Sequence, residues 1–212
     1  MAIFKKGIFG AANGKIFNLV SYPLKGQQVV RGIGKSRKPL TDKQLNNKLQ
    51  MKVIMDFFRA MDTLLRTGFN PKANGTTKNY HNLAIAYNKP NALKGFYPDV
   101  EVDYSKIIIS VGDLPQPVNP KVEWVETGLK FTWNAENMTW PYNRDQVMLL
   151  AYAPAIKKHV FFNSGARRME GQDILKMNPA MRNQLLEVYI SFVSDDRLRA
   201  ANSLYLGQVI GA

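Results

Sequence analysis

The chain has 212 residues with 29 Lys+Arg against 16 Asp+Glu, a formal net charge of +13 and a pI near 9.9. At 45% hydrophobic and 11% aromatic it can bury the core of one or two ordinary domains, which excludes a disordered basic tail. The absence of cysteine excludes disulfide frameworks, thiol nucleophiles and thiolate metal sites together.

The charge is uneven along the chain. Residues 1–100 hold 17 Lys/Arg and 4 acids, whereas residues 101–212 hold 12 of each, so the first hundred residues carry the whole excess. The opening Met1-Ala2-Ile3-Phe4-Lys5-Lys6-Gly7 has lysines where a secretory peptide has an apolar run. No stretch approaches the roughly 18 unbroken apolar residues of a membrane helix. The expectation is a soluble, cytoplasmic protein with no membrane partner, with export by a dedicated system or inside a particle left open.

Two short strands come first, Lys15–Tyr22 and Gln27–Arg31, with Pro23 and Lys25-Gly26 marking the turn of a β-hairpin. A basic linker, Lys35-Ser36-Arg37-Lys38-Pro39, leads to Thr41-x-x-Gln44, whose spacing suits reciprocal capping of a helix start. From there Leu45, Leu49, Val53, Phe57, Phe58, Met61, Leu64 and Leu65 recur at helical spacing. Gly68 supplies a stop, so the pattern predicts a helix over 42–67. A second helix near 77–88 aligns Tyr80, Leu83, Ala84 and Tyr87, with Pro90 closing it. The two helices are expected to pack on each other and on the hairpin.

Beyond residue 98 the period changes to two. Candidate strands are 100–104, 106–111, 121–126, 129–134, 146–152, 157–162, 184–193 and 203–209, with Glu126-Thr127-Gly128 and Ser194-Asp195-Asp196 at tight turns. The expected fold is thus an α+β N-terminal module, residues 1–98, followed by an antiparallel β-sandwich, residues 99–212, of immunoglobulin or fibronectin type III character. Trp133 in the alternating run 129–134 suits a sandwich core, and the lack of cysteines favours the fibronectin variant.

The chemical motifs thin out under test. Gly32-Ile33-Gly34-Lys35-Ser36 contains the Gly-Lys-Ser of a phosphate loop, but Val29 stands where the first glycine is needed and Pro39 blocks a helix from the lysine. Gly7, Gly10 and Gly14 do not make a dinucleotide fingerprint. His81 and His159 have no partner at ligand spacing, and Asp195-Asp196 read as turn formers. No catalytic residue, metal ligand or cofactor is assigned.

The basic residues survive better. On the long helix Lys48, Lys52, Arg59 and Arg66 fall within about 40° of one another at 100° per residue. Asp56 and Asp62 can pair with that stripe, which favours a solvated face. Lys5, Lys6, Lys15, Lys25, Arg31, Lys35, Arg37, Lys38, Lys43 and Lys48 have few acids near them and form the candidate polyanion-binding set. Tyr22, Phe17 and Tyr80 offer stacking faces to unpaired bases, although aromatics at such spacing commonly serve a core.

Gly10-x-x-x-Gly14-Lys15-x-x-Asn18, Lys25-Gly26-x-x-Val29-Val30-Arg31 and Thr41-x-x-Gln44 together resemble the opening of an uncharacterised family of basic two-domain proteins common in Bacteroidota-type bacteria. Tyr97-Pro98, Asp103-Tyr104-Ser105-Lys106 and Gly112-x-Leu114-Pro115 are similar to its central segment. Ala166-Arg167, Gly171, Tyr189-x-x-Phe192-x-Ser194-Asp195 and Ser203-x-Tyr205-x-Gly207 are similar to its end. Lys48 and Met51 depart from the arginine and aromatic usual there. The resemblance implies a two-part architecture and supplies no site residues.

The sequence therefore leads to the expectation of a non-enzymatic protein whose basic N-terminal module engages a polyanion, nucleic acid first, with low sequence specificity. The alternative is a structural or assembly protein that self-associates or meets an acidic protein partner through the sandwich and a strand-donating N-terminal arm.

Overall fold

The computed structural model describes residues 2–5, 10–24, 26–35, 38–59, 61–136 and 141–211. The chain packs as two compact units, Met1–Thr41 and Asp42–Ala212. This division lies well before the boundary expected near residue 98. The helices that follow Thr41 instead share a core with the later strands, as set out below.

The first unit is a four-stranded antiparallel sheet in sequential order: β1 (Ala2–Lys5), β2 (Ala11–Ile16), β3 (Leu19–Leu24) and β4 (Gln27–Gly32). The expected hairpin is its second half, with Leu24 opposite Gln27 and Gly26 at φ +82°. The run 15–22 is not one strand, however. It folds back at Phe17-Asn18, where Phe17 takes the left-handed conformation at φ 50° and Ile16 pairs with Leu19. Pro23 lies inside β3 rather than in the turn. Pairing with β2 covers only Leu19–Ser21, so the missing N–H of Pro23 interrupts no ladder on that side. Among the described residues of this unit, Ser21 alone is buried, and neither apolar core described below includes a residue of it.

The second unit opens with α1 (Asp42–Phe58), α2 (Asp62–Ala73) and α3 (Tyr80–Asn91). The single helix expected over 42–67 is thus two. Its apolar spacing runs unbroken through the junction, since Phe57, Phe58, Met61, Leu64 and Leu65 all enter one core. Gly68 does not stop α2. A β-carbon there would lie 2.3 Å from the Ile109 carbonyl oxygen, so glycine is what lets the helix touch that segment. Asn79 caps α3 by accepting the Asn82 N–H at 2.7 Å, and Pro90 sits in its last turn instead of beyond it.

A hairpin of β5 (Leu93–Phe96) and β6 (Asp99–Val102) follows. Then come β7 (Val118–Val125), β8 (Gly128–Asn134), β9 (Gln146–Ala153), β10 (Lys158–Phe162), β11 (Gln172–Lys176), β12 (Leu185–Val193) and β13 (Leu204–Ile210). They form two antiparallel sheets, ordered β11-β8-β7 and β10-β9-β12-β13. The result is a mixed α+β protein in which strands predominate.

The central strands β9 and β12 explain the layering. Val147, Leu149 and Ala151 share a core with Leu129, Phe131 and Trp133 of β8, while the alternate residues Met148, Leu150 and Tyr152 share one with the helices. In β12, Val188, Ile190 and Phe192 face the former and Tyr189 and Val193 the latter. Successive side chains leave a strand on opposite faces, so the four-stranded sheet lies between the helices and the three-stranded sheet. The apolar faces of the helices are thus covered by β9 and β12, strands of their own unit.

The stretch 106–111, expected as a strand, is pinned by other means. Asn88 of α3 accepts the Ile108 N–H and donates to the Ile108 carbonyl, both at 2.8 Å. Ser203 Oγ accepts the Ile109 N–H, and the Gly68 carbonyl accepts the Val111 N–H. Its backbone groups are satisfied by side chains and a helix, leaving no need for a ladder. Conversely β11 was not expected, because its Gln-Asp-Ile-Leu-Lys sequence buries only Leu175.

Candidate functional site

The first unit holds Lys5, Lys6, Lys15, Lys25, Arg31, Lys35, Arg37 and Lys38 and no acidic residue at all. Lys6, Lys25 and Arg37 lie outside the described residues, and of Lys5 only the backbone is described, opposite Ala11 on β2. The remaining members can be placed. Lys15 pairs with Val20 across β2 and β3, and Val20 pairs with Arg31 across β3 and β4. Three residues in register project to the same side, so Lys15 and Arg31 stand on one face with Val20 between them, about 10 Å apart at the usual strand spacing.

Tyr22 follows Val20 by two residues and therefore shares that face. Its cross-strand partner is Val29, and the Arg31 guanidinium carbon lies 6.0 Å from its ring centroid. By the same register Ile3, Asn13, Leu24 and Gln27 belong to this face as well. The opposite face carries Ala12, Ile16, Leu19, Ser21, Gln28 and Val30 and, among the described residues, no charge. There the Gln28 side-chain amide donates to Ser21 Oγ at 2.6 Å and to the Ala12 carbonyl. The sheet thus separates a basic, aromatic face from a neutral one.

Lys35 and Lys38 are exposed beyond β4. The first helix described after Lys35 is α1, beginning at Asp42, and Ser36 of the Gly-Lys-Ser segment lies outside the described residues. Lys43 and Lys48 are exposed on α1 of the second unit. The four-residue basic stripe does not form as one helix face, because Arg66 lies on α2 beyond the break. Arg59 pairs with Asp56 at 2.9 Å, as its spacing allowed. Asp62 accepts the Tyr80 hydroxyl at 2.7 Å, which raises the Tyr80 pKa, and the Tyr80 side chain is partly buried against the apolar core of the second unit. Phe17 is 92% exposed at its turn.

The second unit is balanced differently. A cleft of about 260 Å³ is lined by Tyr142, Arg144, Asp145, Ser194, Asp195, Asp196 and Arg199. Its acids are committed: Asp196 accepts from Ser194 Oγ at 2.6 Å and from the Leu198 N–H at 2.9 Å, and Asp195 lies 3.9 Å from Arg144. The Ser194 hydroxyl holds the Asp196 carboxyl below the usual carboxylate range. His159 stacks on Phe161 and His81 lies edge-on to Tyr80. Among the described residues no group of three His, Asp or Glu side chains is placed to hold a metal ion.

Sequence reasoning missed one buried feature here. Arg168 and Asp145 form an ion pair at 3.1 Å with side chains only 1% and 4% exposed. A single arginine in a five-residue run of mixed polarity gives no sign that it will be interior.

No described helix is long and apolar enough to cross a membrane. No curated protein and no solved structure matches the chain. Residues 11–207, nearly its whole length, match the profile of a family of unknown function (DUF6266), and the chain belongs to that family.

Proposed function

We propose that the protein is a non-enzymatic binding protein whose N-terminal unit grips nucleic acid through its phosphates, with little sequence preference. The observation that carries this reading is the concentration of eight Lys/Arg with no acid in residues 1–41, with Lys15 and Arg31 on one open sheet face. Residues 1–41 themselves supply no carboxylate to offset those cations. In residues 42–212, by contrast, 21 Lys/Arg are offset by 16 acids, and Arg59, Lys106, Arg168 and Arg199 are paired with aspartates. A polyanion therefore gains most at the first unit, where the local excess of positive charge is largest and bound counterions are released to solvent. Lys43 and Lys48 add charge at the start of α1, and a cytoplasmic location suits the partner.

We read β7 to β13 as a sandwich of fibronectin type III character serving as a rigid support. Seven antiparallel strands in the orders β11-β8-β7 and β10-β9-β12-β13, with Trp133 in the shared core, favour it.

Titration of the full chain against labelled DNA and RNA at several salt concentrations tests the binding proposal. Neutralising about four to eight phosphates gives a slope of log affinity against log salt of about −4 to −7. No binding at low ionic strength, or affinity indifferent to salt, overturns it.

A second reading, assembly with itself or with an acidic protein, draws on β1 and β4 as the edge strands of their sheet and on exposed Leu19 and Val30. Light scattering of nuclease-treated protein distinguishes the two: oligomers that persist without nucleic acid favour assembly.

A further inference from the structure

Resting on the nucleic-acid reading above, we infer that the ligand of the first unit is single-stranded: one base stacks on Tyr22 while Lys15 and Arg31 hold phosphates on either side of it. Three features of the sheet lead there.

The first is segregation. All the charge described on the sheet lies on the face that carries Tyr22, and the other face has none. A ligand attracted by Lys15 and Arg31 is therefore brought onto the aromatic ring rather than away from it. The second is spacing. Lys15 and Arg31 rise from strands two apart, about 10 Å, and their long side chains can reach further. Tyr22 sits one side-chain repeat along the middle strand, about 7 Å from the line joining them. A strand crossing the sheet can thus place a base on the ring and its flanking phosphates on the two cations. The third is the floor around the ring. Val20 and Leu24 on its own strand and Val29 opposite it provide apolar surface for a base edge, and the unit that carries them contains no carboxylate to repel a phosphate.

The Arg31 guanidinium, at 6.0 Å from the Tyr22 centroid, is at the outer limit of a cation–π contact. It can turn to a phosphate without giving up much.

A duplex makes poor use of this surface. Reading a major groove takes a protruding helix or a two-stranded ribbon, and a four-stranded sheet face is too broad to enter. Paired bases are also stacked on each other and cannot reach Tyr22, so a duplex would engage the cations alone. Unpaired bases have free π-faces, and stacking on an aromatic side chain is largely indifferent to base identity. That agrees with low sequence specificity.

Fluorescence anisotropy of the full chain with a labelled oligo-U or oligo-dT, the matching duplex, and heparin as competitor tests this. The single strand is expected to bind at least about fivefold more tightly than the duplex at equal salt, the size of one stacked base. Tyr22→Leu keeps an apolar side chain on the strand and should weaken single-strand binding about 5- to 100-fold, leave heparin binding unchanged and leave the salt slope as it was. Tyr22→Phe should restore the affinity, and the far-UV spectrum of each variant reports whether the sheet is intact. The Lys15→Ala, Arg31→Ala double variant should instead reduce the slope for single strands by about 1.4.

Equal affinity for duplex and single strand, or a folded Tyr22→Leu protein that binds single strands like the wild type, overturns the stacking inference while leaving phosphate binding intact. Absence of salt-dependent binding to every probe overturns both readings. If Tyr22→Leu is unfolded, the comparison of single strand with duplex decides alone.

Discussion

Replacing Arg168 by methionine tests how the core of the second unit is held together. The guanidinium donates from Nη2 to Asp145 Oδ2 at 3.1 Å and to the Pro115 carbonyl at 2.8 Å, while its carbon lies 3.8 Å over the Phe192 ring. Nε and Nη1 have no partner among the described residues. The backbone joins in: the Arg168 N–H donates to the Asp145 carbonyl at 2.7 Å, and the Trp133 indole donates to the Arg168 carbonyl at 2.7 Å. Methionine fills most of the volume but strands a buried carboxylate. Breaking such a pair costs about 3–5 kcal/mol. For a chain of this size each kcal/mol moves Tm by about 2–4 °C, so the variant should melt roughly 6–20 °C lower. Adding Asp145→Leu removes the stranded charge, and the double variant should recover at least half the loss, because an apolar replacement of a buried pair is often neutral.

The deficit should also depend on pH. Burial raises the Asp145 pKa, with Arg168 opposing the shift. A carboxyl whose pKa is raised on folding stabilises most below its unfolded pKa near 3.9, and that contribution is lost as pH rises through the folded value. Without Arg168 the shift grows, so the gap between variant and wild type should widen from about pH 4.5 to about pH 7.5. Thermal unfolding followed by circular dichroism reads both effects. A single variant within about 3 °C of wild type, or a double variant no better than the single, refutes the reasoning.

Asn88→Ala removes the side chain that satisfies both backbone groups of Ile108 and should cost roughly 2–6 kcal/mol, seen as a lower urea midpoint at unchanged slope. Removing residues 1–41 should leave 42–212 folded, with Tm within about 3 °C of the full chain, since both apolar cores lie wholly within 42–212. The shortened protein should lose salt-dependent nucleic-acid binding, and retention of full affinity would move the site to α1 with Lys43 and Lys48.

Much of the fold is legible because apolar period and secondary structure agree. The run 129–134 alternates, and β8 forms there with Leu129, Phe131 and Trp133 inward. The helix break at residues 59–61 is not legible by this route. Both helices face the same core, so the apolar spacing passes through the junction and periodicity has nothing to register. The layering was hidden for a related reason. In β9, Val147 to Ala153 are all buried, and a run apolar on both faces reads as a strand without disclosing what covers its second side. That the helices supply the cover is a long-range fact, since Tyr152 and Phe57 meet at 4.9 Å across 95 positions of sequence.

The candidate site divides in the same way. Charge is a property of composition, and the basic excess of the N-terminus is visible before any folding. Which face the charges share is a property of register, and one turn decides it. If 15–22 were a single strand, Lys15 and Tyr22, an odd number of residues apart, would point to opposite faces of the sheet. The reversal at Phe17-Asn18 sets Lys15 opposite Val20 instead, and Tyr22 two residues further on comes round to the side of Lys15 and Arg31. A left-handed Phe17 is an unusual turn residue, and no Asn-Gly or Asp-Gly pair announces it. The same turn converts a two-stranded hairpin into part of a four-stranded sheet, broad enough to present two cations and a ring together. A basic segment thereby becomes a surface with one charged side, and the proposed stacking of a base beside bound phosphates depends on that side carrying Tyr22 as well.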